Sequence, residues 1–118
     1  MAAQQYTGGC HCGELRFAVN IDLSKTIACN CSICSRKGLI LSFTPADEFN
    51  QTAGAESNQE YLFNKHLIRH QFCPKCGVEA FAFGAMPDGT RMAAVNVRCL
   101  DGVDLATLSP APFDGASR

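Results

Sequence analysis

The cysteines of this chain are not scattered. Cys10 and Cys12 flank His11, Cys29, Cys31 and Cys34 share one short segment, Cys73 and Cys76 enclose Pro74 and Lys75, and Cys99 stands alone. Disulfide frameworks spread cysteines to link distant segments, whereas sulfurs two or three residues apart present several thiolates to one ion. Metal binding is therefore expected, over disulfides or inert core thiols. Eight cysteines in 118 residues are several times ordinary usage, yet below the density of a disulfide scaffold. Cys73-Pro74-Lys75-Cys76-Gly77 has the form of a zinc knuckle. The two-residue gap lets both sulfurs point inward, and Gly77 permits the positive φ needed just after the second ligand. A thioredoxin-like redox motif would need a βαβ context, which the flanking sequence does not suggest.

Counting sharpens this. A structural zinc takes four soft ligands in a tetrahedron, and seven clustered cysteines cannot fill two such sites. They divide as four plus three, whichever way the clusters combine. One metal needs a fourth ligand from elsewhere or keeps an open position, and open coordination separates catalytic from structural zinc. The simplest division joins Cys10 and Cys12 with Cys73 and Cys76, and leaves Cys29, Cys31 and Cys34 as an incomplete triad. Cys10 and Cys12 would share one face of an extended segment, with His11 on the other. Cys99, a histidine or a carboxylate remains an alternative fourth ligand, although Cys99 sits in an apolar run and reads more readily as a small core residue. His66 and His70 are read as surface or core residues.

Apolar residues make up 47% of the chain, so an ordinary core can form. Strand-like runs at 15–19, 39–44, 60–63, 66–72, 80–83 and 92–100 are separated by turn signals, among them Met86-Pro87-Asp88-Gly89, which reads as a hairpin turn. Short helical turns are expected at 31–35 and 45–49, a loop at 51–59, and a tail at 109–118, where two prolines and a glycine cluster. The reading is one small, mainly β domain of antiparallel strands over residues 1–118, with its core at 6–105. The net charge of −1 argues against a generic nucleic-acid binder. No apolar run is long enough to span a bilayer. The first residues lack a positive segment followed by an apolar stretch, so a cytoplasmic location, where thiols stay reduced, is expected.

Three thiolates on one zinc leave a net negative site, which is a weak Lewis acid but can hold an incoming thiol as a nucleophilic thiolate. A thiol-plus-carbonyl reaction suits that chemistry. Arg36 and Lys37, just beyond Cys34, are positioned to receive carboxylates of an anionic thiol such as glutathione. Two other classes compete. One is a zinc-stabilised binding module, for which Lys65, Arg69, His70 and Lys75 supply a local basic stretch. The other is a redox or metal sensor, since exposed thiolates oxidise readily.

Gly8-Gly9-Cys10-His11-Cys12-Gly13, Cys29-Asn30-Cys31-Ser32-Ile33-Cys34 and Phe72-Cys73-Pro74-Lys75-Cys76-Gly77, in this order, resemble the family of glutathione-dependent formaldehyde-activating enzymes, which includes centromere protein V. Val95-Asn96-Val97-Arg98 is similar to the family's final strand, and the match runs over residues 6–105. The resemblance implies a zinc-stabilised β-tent fold with two zinc ions. It implies a structural ion on Cys10, Cys12, Cys73 and Cys76, and a catalytic one on Cys29, Cys31 and Cys34 with one position open. It also implies a carbon–sulfur lyase reaction run in reverse, joining formaldehyde to glutathione.

Overall fold

The computed structural model describes residues 3–62 and 68–114. Two sheets carry most of them. The smaller has strand order β1-β2-β5, from β1 (Gln4–Gly9), β2 (Arg16–Ile21) and β5 (Phe49–Ala53), all antiparallel. The larger has order β10-β3-β4-β9-β8-β7-β6. It contains β3 (Ile27–Cys29), β4 (Ile40–Pro45), β6 (Gln59–Tyr61), β7 (Arg69–Phe72), β8 (Phe81–Ala85), β9 (Arg91–Asn96) and β10 (Ala111–Phe113). Its pairings are antiparallel except β10 on β3, which is parallel. The α-helix among the described residues is α1 (Ser32–Lys37), and 3-10 turns occur at Ala46–Glu48, Ala55–Ser57, Val97–Cys99 and Leu105–Thr107. The mainly β, antiparallel architecture with short helical segments matches the sequence reading.

The sheets meet through alternating side chains. In β2, Phe17, Val19 and Ile21 are fully buried while Arg16, Ala18 and Asn20 are half-buried, the period of two that a one-sided strand requires. They join Phe81, Val95 and Val97 of the larger sheet's segments in one core cluster. Phe17 stacks on Phe49 at 5.2 Å between ring centroids and meets Phe81 edge-on at 5.7 Å. Where the larger sheet's inner face turns polar, its hydroxyls are satisfied by the facing chain. Ser42 Oγ donates to the carbonyls of Asp22 and Lys25, and Thr44 Oγ1 to that of Asn20.

Several boundaries differ from the sequence reading. Polar β1 carried no strand signal. The expected loop at 51–59 contains the end of β5, a 3-10 turn and the start of β6. The strand expected at 92–100 ends at Asn96, because the Asn96 side chain accepts from Arg98 N at 3.1 Å and caps a 3-10 turn through Cys99. The expected tail at 109–118 includes β10, which pairs with β3. The strands expected at 60–63 and 66–72 appear as Gln59–Tyr61 and Arg69–Phe72, and residues 63, 66 and 67 lie outside the described residues. The helical turns appear as α1 and Ala46–Glu48, and the 86–89 turn joins β8 to β9, with Gly89 N donating to Met86 O at 2.8 Å.

Candidate metal centres

The first group forms where the β1–β2 turn meets the β7–β8 turn. Cys10 and Cys12 come from one, Cys73 and Cys76 from the other, and their four Sγ atoms all lie within 4.8 Å of one another. Cys10–Cys12 and Cys12–Cys73 are 3.7 and 3.6 Å apart. Four sulfurs on a tetrahedral zinc at about 2.3 Å stand about 3.8 Å apart, so the donor set fits that ion. Cys10 and Cys12 lie in a tight turn, closed by Gly13 N on Cys10 O, not in the extended segment expected. His11 is exposed and belongs to neither group. The knuckle has the expected shape: Gly77 N donates to Cys73 O at 2.8 Å, and Gly77 takes φ 78°. Backbone N–H groups aim at the sulfurs, Leu15 at Cys10 (3.3 Å) and Lys75 at Cys73 (3.4 Å). Buried Leu15 packs against Cys10 and Cys73 and keeps the site apolar.

Crowded thiols without a cation divide their protons unevenly. Burial pushes Cys76 up, but the N–H groups of Val78 and Cys12 and the neighbouring thiols outweigh it and bring it to about 6. At Cys12 the Glu14 N–H pulls down, but burial and the thiols of Cys73, Cys10 and Cys76 push it up to about 11.

The second group is local. Cys29 ends β3, Cys31 is the N-cap of α1 and Cys34 lies in its first turn, and the three Sγ atoms lie within 4.8 Å of one another. Cys31 N donates to Cys29 Sγ at 3.4 Å, and Cys34 N to Cys31 Sγ at 3.5 Å. Burial and the neighbouring thiols raise Cys34, which packs with Leu39 and Leu41. Among the described residues no fourth cysteine, histidine or carboxylate joins this group. Cys99 is in neither group. It packs against the main core, accepts from Asn96 Nδ2 at 3.5 Å, and is pushed up to about 11 by burial, then by Cys10, Cys76 and Glu79. Two of those neighbours belong to the first group, so Cys99 lies toward it and does not complete the triad.

Four of the residues singled out from sequence for their charge lie beside acids. Lys37 Nζ pairs with Glu79 at 3.0 Å, Arg69 with Glu60 and Lys75 with Glu14, while His70 Nδ1 lies 2.7 Å from Glu79. The expected basic stretch is thus neutralised where it is described, and Lys65 and His66 lie outside the described residues. Arg36 is exposed, and its Nη1 donates to Ser32 O at 2.8 Å. Glu79 itself escaped the sequence reading. A solitary acid between Val78 and the Ala80-Phe81 run was its available signal. On the outer side of α1, Ser32, Ile33, Arg36 and Lys37 face Tyr61 and Phe72 across an open groove of about 610 Å³.

The sequence model of the glutathione-dependent formaldehyde-activating enzymes matches residues 5–112, which include all seven clustered cysteines. The chain belongs to the glutathione-dependent formaldehyde-activating enzyme family. A Rhodobacter sphaeroides protein of known crystal structure is similar to this family member at 29% identity, with a TM-score of 0.79 over 90% of this chain and 97% of that one. Among the described residues of this family member, no helix is long and apolar enough to cross a membrane.

Proposed function

We propose that the chain joins a small thiol, glutathione or a relative of it, to an aldehyde such as formaldehyde, which is a carbon–sulfur lyase reaction in reverse. Family membership supports the substrate class. The observation that carries the site assignment is the three-sulfur group Cys29, Cys31 and Cys34, which no fourth described ligand completes. These three would hold one zinc, and Cys10, Cys12, Cys73 and Cys76 a second, structural one. Bound at the triad, zinc supplies a cationic point at which an incoming sulfur is held as thiolate.

The chain's own residues do the rest. The N–H groups of Cys31 and Cys34 fix the sulfurs of Cys29 and Cys31, so the triad is arranged before substrate arrives. Ser32 and Ile33, between two of the cysteines, also line the groove, which supports the groove as the place where a thiol's backbone would lie. Arg36, on the groove wall, is the cation offered to a substrate carboxylate. In the reaction the thiol sulfur attacks the carbonyl carbon and a C–S bond forms. The C=O π pair moves to oxygen, and that oxygen receives the proton the thiol gives up. Nothing is oxidised or reduced.

Exchange NMR of formaldehyde and glutathione, with and without the zinc-loaded chain, tests this. Faster adduct exchange is expected, lost in Cys31→Ser while the near-UV circular dichroism stays native. Equal rates with and without protein would remove the proposed reaction.

A further inference from the structure

Among the described residues Glu79 is the one buried acid, its side chain 2% exposed. A carboxylate taken out of water is destabilising unless it is paired and hydrogen-bonded, and Glu79 has partners on several elements. Its Oε1 accepts from Lys37 Nζ of α1 at 3.0 Å, and its Oε2 faces His70 Nδ1 of β7 at 2.7 Å. Its backbone carbonyl accepts from Asn96 Nδ2 of β9 at 3.0 Å. Lys37 also lies 5.5 Å from the Phe72 ring centroid.

The sequence positions add meaning to this meeting. Lys37 follows Cys34 by three residues, Glu79 follows Cys76 by three, and His70 precedes Cys73 by three. The Lys37–Glu79 ion pair therefore ties a residue three positions from one cysteine group to a residue three positions from the other. Helix α1, which carries Cys34, has six residues, too few to hold a fixed place by its own hydrogen bonds. Its C-terminal end is tied by Lys37 to Glu79 and by Arg98 Nε to Gly38 O at 3.0 Å.

We propose that Glu79 is a positioning residue for the Cys29/Cys31/Cys34 group, acting through Lys37 to draw the last turn of α1 onto β7 and the start of β8. This rests on the reading of that group as the reactive metal site. Glu79 fixes where Cys34 stands and where the groove wall begins. It also occupies Lys37, which leaves Arg36, whose Nη1 donates to Ser32 O, as the groove-lining cation offered to a substrate carboxylate.

The test titrates the zinc-loaded full chain with a chromophoric chelator, which reads tightly and weakly held ions separately, alongside thermal unfolding. Glu79→Gln and Lys37→Met are each expected to weaken the weaker ion about tenfold, the low end for residues supporting a ligand, and to leave the tighter ion within about twofold. The double variant is expected to match the singles, because both remove one interaction, and Lys37→Arg to restore binding. A folded Glu79→Gln chain that holds both ions as the wild type does, or that loses both in parallel, would overturn the proposal. Should Glu79→Gln fail to fold, Lys37→Met, at a partly exposed position, decides by the same criteria. A wild-type chain inactive toward formaldehyde and glutathione sinks the proposed reaction but leaves this metal readout standing.

Discussion

A methyl group at Gly8 would run into the carbonyl oxygen of Cys99 and stand 2.9 Å from Cζ of Phe17. Gly8 also bridges to Leu100, so here β1 lies against the segment that leaves β9. The obstacle on one side is backbone, which cannot rotate away. Gly8→Ala is therefore expected to destabilise the zinc-loaded chain by about 1–3 kcal/mol, the ordinary range for overpacking, read from denaturant unfolding. An unchanged midpoint would show that β1 shifts freely. The sequence marks Gly8 and Gly9 for another reason: they open the Gly8-Gly9-Cys10-His11-Cys12-Gly13 motif that carries the family resemblance. Nothing local reveals that a strand's end must pass close to a residue some 90 positions away. The cysteines were legible for the opposite reason, since their chemistry and spacing are local. Glu79 was not, because a buried ion pair depends on which distant cation arrives beside it.

Elements were legible where strand-like runs stand between turn signals. The run at 39–44 stands between Gly38 and Pro45, although it buries Ser42 and Thr44 and exposes Phe43, the run at 80–83 alternates small and aromatic residues, and the turn through Cys31–Ser35 ends at Arg36-Lys37-Gly38, with Gly38 at φ 67° capping the helix. β10 gave no such signal. It is three residues long and contains Pro112, which lacks an N–H and is tolerated because β10 lies at the sheet edge. Its attachment is nevertheless specific. Ala111 N donates to Thr26 O at 2.9 Å, Asn30 N to Phe113 O at 3.1 Å, and Asn30 Nδ2 to Asp114 Oδ1 at 3.1 Å. These bonds flank β3, which ends at Cys29. Truncation after Leu108 is expected to cost about 1–3 kcal/mol for the lost hydrogen bonds, and to speed amide exchange at Ala28–Asn30 while leaving β8 and β9 protected. Unchanged exchange at Asn30 would mean that β10 contributes nothing to the triad's support.

At the scale of the whole molecule, ions on the two cysteine groups would do different work, because they would close loops of different length. Cys29, Cys31 and Cys34 lie within six residues, so an ion there fixes only a turn that already has its own hydrogen bonds. Cys12 and Cys73 are 61 residues apart and belong to turns of different sheets, so an ion there joins the sheets. Structural zinc contributes roughly 10–16 kcal/mol of apparent binding energy at neutral pH, against a net domain stability of about 5–15 kcal/mol. Losing the joining ion can therefore remove most or all of the folded state's advantage, and losing the other cannot. Stepwise chelation is expected to release zinc in two phases. The first leaves near-UV circular dichroism and the unfolding midpoint nearly unchanged, and the second abolishes the cooperative transition. Cys12→Ser is expected to reproduce the second phase and Cys31→Ser the first, so each phase is assigned to its sulfurs independently of any activity. A fully stripped chain that still unfolds cooperatively at the loaded protein's midpoint would show that the Phe17, Phe49 and Phe81 cluster holds the sheets together without a metal.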